Sequence, residues 1–256
     1  MNNIRSVCPT VASLFGISPF TDAAPMNEVT DLFPDGRADR VLMYNPDAIA
    51  WWLFQKYNDS FKPVLDLDPL VLQMESVMPS VTPVCFASMY TGLMPEDHGI
   101  RKYVKPVLTV PTLFDAMIKA GKKPAICSTG RDSISLIFLQ REMDYFIFDT
   151  HDQVNEKVEE LIREDRHDLI VAYNGNYDSS MHGHGPEGAE SLNALAHNIE
   201  SYRRLTEAAA AGWKGKKWAT AFAPDHGCHE IDGGFGSHGL DMDEDMFVVH
   251  FWKSGK

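Results

Sequence analysis

Apolar positions along this chain fall into short continuous runs separated by stretches of helical spacing, and both are punctuated by glycine, proline and asparagine. The run RVLMYN at 40–45 reads as a buried strand closed by Pro46 and Asp47, and residues 48–57 read as a helix. Thr82 followed by Pro83 predicts a helix start, with Thr82 as the cap and proline at the first helical position. A helix is predicted from Pro111 to Ala120, ended by Gly121, then a strand at 123–127. Met143 to Phe148 gives another strand, Asn155 to Glu164 a polar helix, and DLIVAY at 168–173 a strongly apolar strand. A long helical stretch at 187–211 precedes strands at 217–223 and 246–251, while residues 1–39 read as a helical or irregular covering segment.

Strands alternating with helices predict an α/β fold, a three-layer α/β/α sandwich with a mostly parallel central sheet. In such sheets ligands collect beyond the carboxyl ends of the strands. The polar residues follow that rule: Asp47 follows one strand, Asp178 and His182 follow a second, and Asp225-His226 follow a third. Three strands thus deliver Asp or His to one edge of the sheet.

Composition narrows the partners. The 256 residues are 44% hydrophobic and 23% charged, a globular balance suited to one domain over 1–256, with a core from 40 onward. The net charge of −13 argues against nucleic-acid polymers and anionic membranes. It agrees with an anionic substrate only where bound cations reverse the local field, and two divalent ions would add about four positive charges. No apolar run reaches membrane-spanning length, and no secretory leader is evident. Cys8, Cys85, Cys127 and Cys228 form no CxxC pair, so free thiols and a cytoplasmic protein are expected. Oligomerisation stays open.

Mixed histidine and carboxylate donors suit zinc, with manganese as the harder alternative. The candidate ligands are Asp47, Asp178, His182, Asp225, His226 and His238. Two metals about 4 Å apart can clamp the attacking and leaving oxygens of a phosphoryl transfer. Thr82, at a predicted helix start where backbone amides favour negative charge, is the candidate nucleophile.

The segment PSVTPVCFASMYTGLMPEDHGI at 79–100 resembles the nucleophile segment of the type I phosphodiesterase/nucleotide pyrophosphatase family, a branch of the alkaline phosphatase superfamily. DSSMHGHGP at 178–186 is similar to its Asp-x-x-x-His metal motif, APDHG at 223–227 to its Ser-Asp-His-Gly motif, and GSHGLD at 236–241 to the motif of its last histidine ligand. All four stand in family order. The resemblance implies an alkaline phosphatase-like core, with one metal held by Asp178, His182 and His238 and the other by Asp47, Asp225 and His226. It also implies a covalent phospho-Thr82 intermediate, hydrolysed by metal-activated water, and a small phosphate ester, diester or monoester, as substrate. Relatives also cleave phosphonates or transfer phosphoryl groups. A catalytically inactive metal-binding module is the competing reading from another class.

Two departures stand out. Cys85 occupies the position three after Thr82, where family members usually place an asparagine that binds a phosphoryl oxygen. Losing such a donor costs on the order of 100-fold in rate, and Asn174 or Lys102 could stand in. Only 46 residues lie between Asp178 and Asp225, leaving little room for an accessory nucleotide-gripping domain. The sulfatase pattern Cys-x-Pro-x-Arg is absent at Cys85. Structural or solvated roles are the simpler reading for His98, His184, Cys228, His229 and Asp132.

Overall fold

The computed structural model describes residues 2–18 and 21–256. Among these residues ten strands are formed: β1 (Asn2–Asn3), β2 (Arg40–Pro46), β3 (Leu70–Glu75), β4 (Pro124–Thr129), β5 (Asp144–Phe148), β6 (Leu169–Asn174), β7 (Trp218–Phe222), β8 (His229–Ile231), β9 (Phe235–Ser237) and β10 (Phe247–Gly255). The helices of seven residues or more are α1 (Val7–Leu14), α2 (Thr82–Thr91), α3 (Leu113–Lys119), α4 (His151–Glu164), α5 (Asn176–His184) and α6 (Ala189–Gly212). No described helix is long and apolar enough to cross a membrane.

Eight strands form one sheet in the order β1-β3-β10-β7-β2-β6-β4-β5, and β8 pairs with β9 as a separate hairpin. Every pairing in the large sheet is parallel except those of β10, which runs against both β3 and β7. The side-chain period of two divides the interior into layers. From β2, Val41 and Met43 point into one apolar cluster with residues of α1, α2 and α3. Leu42 and Tyr44 point into another, with residues of α4, α5 and α6. The expected three-layer α/β/α arrangement is what these residues build.

The strands and helices expected from 40 onward are present, with ends shifted by a few residues. Helix α4 begins at His151 rather than Asn155 because Thr150 and Gln153 form a capping box there. Strand β3 and the β8–β9 hairpin were not expected. β3 is only half-buried and carries no clean alternation, and each hairpin strand has three residues. The N-terminal segment is more than a cover. Asn2–Asn3 adds an edge strand parallel to β3, and Val7, Cys8, Val11 and Leu14 of α1 are core residues.

Candidate active site

Strand β2 ends at Pro46, and the Asp47 amide continues the ladder by donating to the Asn174 carbonyl at 3.0 Å. This fixes Asp47 at the carboxyl edge of the sheet, where it is 1% exposed. Helix α2 enters the same edge. Its cap is Val81, not Thr82 as the sequence suggested, and Thr82 is the first helical residue. Its hydroxyl is therefore free of capping and lies 3.3 Å from Asp47 Oδ2 and 3.3 Å from His226 Nε2. All ten residues of α2 are buried, so the helix holds Thr82 in a rigid frame.

Asp225 and His226 follow β7. The His226 Nδ1–H donates to its neighbour's carbonyl, Gly227 O, at 2.9 Å, which leaves Nε2 facing Asp47 Oδ1 at 3.2 Å and Asp225 Oδ2 at 3.5 Å. Gly227 is required there: a Cβ would sit 2.0 Å from the Glu244 carbonyl oxygen. Helix α5 presents Asp178 and His182 one turn apart. His182 Nε2 and His238 Nε2 each lie 3.4 Å from Asp178 Oδ1. Their Nδ1 atoms donate to backbone carbonyls, His182 to Gly236 at 3.0 Å and His238 to Ser80 at 2.9 Å. All three imidazoles thus have an outer nitrogen tied to a carbonyl and an inner nitrogen turned toward carboxylates, the orientation metal-ligating histidines adopt.

Among the described residues two groups of side chains could hold a metal ion: Asp178, His182 and His238, and Asp47, Asp178 and His226. The first group has the expected members. In the second, Asp178 joins Asp47 and His226, while Asp225 stands beside His226. The imidazoles of His226 and His238 stack at 4.0 Å, so the groups adjoin.

The carboxylates fit a cation. Asp47 Oδ1, Asp178 Oδ1 and both Asp225 oxygens are buried without a hydrogen-bond partner, and a bare buried carboxylate is costly. Burial, reinforced by the neighbouring Asp178 charge, pushes Asp47 up, and burial with the Asp47 charge pushes Asp225 well up. Burial acts the same way on Asp178, but the neighbouring imidazoles of His182 and His238 hold it below the usual range. Burial lowers His226 to about 3. Among the described residues no lysine or arginine forms an ion pair with Asp47, Asp178 or Asp225, so bound cations are the fitting source of positive charge.

Two of the three tentative substrate-binding residues turn away from Thr82. Cys85 is fully buried, with Sγ 3.2 Å from Ser76 Oγ, and cannot touch a substrate. Asn174 alternates to the other face of β6 and donates to Asn155 of α4 at 3.3 Å. Lys102 is exposed on the loop after Ile100. The structural readings elsewhere agree with the contacts: His98 bonds Ser88, His229 pairs with Asp245, and His184 lies 3.7 Å from Glu190. Asp132 is the exception. It is half-buried, accepting from the Thr129 and Ser128 hydroxyls rather than standing in solvent.

Sequence reasoning missed Tyr173. Its phenol, 4% exposed, donates to Asp47 Oδ2, and its ring meets Phe86 of α2 edge-on at 5.5 Å. The signal was available, because Tyr173 lies one residue before the end of β6 and points opposite to Asn174.

The family model for type I phosphodiesterase/nucleotide pyrophosphatase matches residues 47–120, which include Asp47 and Thr82. The family resemblance holds. Murine ectonucleotide pyrophosphatase/phosphodiesterase 5 is similar in structure, at 16% identity and TM-score 0.56, covering 76% of this chain and 58% of its own. Phosphonoacetate hydrolase from Sinorhizobium meliloti, in complex with phosphonoformate, has 17% identity and TM-score 0.55, covering 75% and 57%. The C-terminal periplasmic domain of the phosphoethanolamine transferase EptC from Campylobacter jejuni has 12% identity and TM-score 0.61, covering 86% and 80%. At these identities the likeness shows a shared, alkaline phosphatase-like fold. The chain spans less than two thirds of the length of the first two relatives. No curated protein matches the sequence.

Proposed function

We propose that this protein is a metal-dependent hydrolase of small phosphate esters, with Thr82 as its nucleophile. The observation that carries the reading is the placement of the Thr82 hydroxyl between Asp47 and His226, beside buried carboxylate oxygens that have no partner. Asp178, His182 and His238 would hold one divalent ion, and Asp47, His226 and Asp225, with Asp178 between the groups, a second. Zinc suits this donor set best and manganese next. Divalent ions supply positive charge that favours the threonine alkoxide and offsets phosphoryl charge.

The chain's own residues do the rest. The Thr82 hydroxyl points at Asp47 Oδ2, and the rigid first turn of α2 keeps Oγ1 at the edge of the sheet. Attack of Oγ1 on phosphorus forms a Thr82–phosphate ester and breaks the bond to the departing alcohol, which leaves with a proton. Water then attacks the phosphorus of phospho-Thr82, releasing phosphate or its monoester and restoring the hydroxyl. Tyr173, by donating to Asp47, keeps that carboxylate from swinging.

The test compares hydrolysis of aryl phosphate monoesters and diesters by zinc- or manganese-reconstituted protein and by Thr82→Ala. Loss of activity on the order of 10⁴-fold or more is expected in the variant, as for other covalent nucleophiles. Undiminished activity would remove Thr82 from the mechanism. Metal-loaded parent protein inert on both esters would point to phosphonate cleavage, phosphoryl transfer or an inactive module.

A further inference from the structure

Among the described residues the carboxylates buried outright are Asp47, Asp225 and Asp245. Oxygens of Asp47 and Asp225 are left without a partner, as suits a cation site. Asp245 stands outside that cluster, in the single helical turn Asp243–Met246, whose other two acids face solvent. Both of its oxygens are satisfied: Oδ1 accepts from His229 Nδ1 at 2.7 Å and Oδ2 from the Leu240 amide at 2.9 Å. Burying a carboxylate is costly even when it is partnered, and an apolar residue of similar size avoids the cost. The reason for the carboxylate lies in where its two bonds lead.

They lead to the two elements that carry or orient the imidazoles beside Asp178. Leu240 is two residues beyond His238, and the turn between them is fastened at both ends. His238 Nδ1 donates to the Ser80 carbonyl, and the Leu240 amide donates to Asp245. His229 belongs to β8 and pairs with Ser237 of β9. On one side of Ser237 is Gly236, whose carbonyl accepts from His182 Nδ1, and on the other is His238 itself. A Cβ on Gly236 would meet Met181 at 2.5 Å, so the hairpin is pressed onto α5. One carboxylate thus ties the hairpin that orients His182 to the turn that carries His238.

The backbone of Asp245 serves the other group of ligands. Its carbonyl accepts from the Gly227 amide at 2.8 Å, and the Gly227 carbonyl accepts from His226 Nδ1. That link survives substitution of the side chain. Removing the carboxylate therefore leaves His226 supported while loosening His182 and His238. A residue that only stabilised the fold would act on both groups alike.

We propose that Asp245 is a positioning residue for the ion that Asp178, His182 and His238 would hold, fixing the two imidazoles through His229 and the Leu240 amide. The proposal rests on the reading of these side chains as metal ligands and deepens it. Its test titrates the metal-free full chain with zinc against a chromophoric chelator, for the parent, Asp245→Ala and His229→Ala. The last deletes only one of the two bonds, on a side chain at the edge of solvent. The parent is expected to take two ions. In Asp245→Ala one ion is expected to bind about 10- to 100-fold more weakly, the range for support behind metal-bound histidines, and the other unchanged. His229→Ala should weaken the same ion by less. His182→Ala identifies that ion: the one it leaves behind belongs to Asp47 and His226, and adding Asp245→Ala should not alter its affinity. With cobalt in place of zinc, the visible absorption of the weakened ion should change in Asp245→Ala, because its imidazoles are reoriented. Unchanged affinities in both variants, or both ions weakened equally, overturn the proposal and leave Asp245 a support of the fold. Weaker binding on adding Asp245→Ala to His182→Ala does the same. If Asp245→Ala does not fold, His229→Ala decides by these outcomes. A parent that takes up no zinc overturns the ligand reading itself, and the proposal with it, a failure distinct from the others.

Discussion

The inner and outer halves of the candidate site are built differently. Asp47, Thr82, Asp225 and His226 are at most 3% exposed and hang from the ends of β2 and β7 and the first turn of a buried helix. Asp178, His182 and His238 come from a nine-residue helix and the turn after a hairpin, with side chains 18%, 46% and 7% exposed. The inner half takes its geometry from the sheet and leaves charged oxygens unpartnered. In the outer half, imidazole-to-carbonyl bonds do the aligning, at the edge of solvent. A rigid centre and an accessible mouth are what a nucleophile and an exchanging substrate respectively need, and the fold separates them by layer.

The largest expected effect exploits that difference. Zinc titrated into metal-free protein is expected to stabilise it by about 4 kcal/mol once the free ion stands about 1,000-fold above its Kd. The measurement is a urea midpoint with and without metal. In Asp225→Asn most of that gain should vanish, yet the metal-free variant should unfold later than its parent, because an unpartnered buried carboxylate has been removed. In His182→Ala the gain should shrink while metal-free stability stays within about 0.5 kcal/mol, since that side chain is half-exposed. A metal-free Asp225→Asn protein weaker than its parent would break the contrast.

Next in size is an acid-sensitive support behind the inner half. His250 of β10 is fully buried and donates through Nε2 to the Pro224 carbonyl, next to Asp225. Burial lowers its pKa from 6.5 to about 4. Below pH 6.5 the unfolded chain takes up the proton before the folded one does. The stability it contributes is therefore complete above that pH and is lost as pH falls toward 4. The full loss amounts to about 3 kcal/mol. Urea midpoints between pH 7 and 4 should fall less steeply in His250→Gln; an equal slope would show that other groups govern acid unfolding.

Legibility in the sequence follows the same division. Asp47 and Asp225-His226 stand directly after short apolar runs, so the rule that ligands gather at strand ends locates them from the residue pattern alone. Asp178 and His182 were legible as a spacing, though the helix that carries them was not, because NYDSSMHGH has no amphipathic stripe and lies between two glycines. Thr82 was found by its neighbours in the chain but assigned the wrong local role, since Val81 takes the cap and frees the hydroxyl. Cys85 and Asn174 failed because substrate contact depends on which way a side chain turns. Cys85 turns to Ser76 and Asn174 to Asn155, choices made by packing between layers and not by local pattern. β3 escaped because tertiary pairing with β10 overrides its weak alternation.

The smallest expected effect tests whether the sheet alone fixes the inner half. The Asp47 backbone is anchored to β6, but its carboxylate could still rotate about the Cα–Cβ bond. Tyr173 opposes this by donating to Oδ2, which leaves Oδ1 directed at His226. Tyr173→Phe keeps the ring against Phe86 and deletes only the donor, so folding and the apolar layer should be preserved. Outer hydrogen bonds of this kind typically change metal affinity by about 10- to 100-fold when removed. A zinc competition titration against a chromophoric chelator should show a weakening in that range, with the weaker-held ion reducing activity at limiting zinc and excess zinc restoring most of it. Unchanged affinity would mean that the strand end by itself orients Asp47, and that the phenol only fills space beneath it.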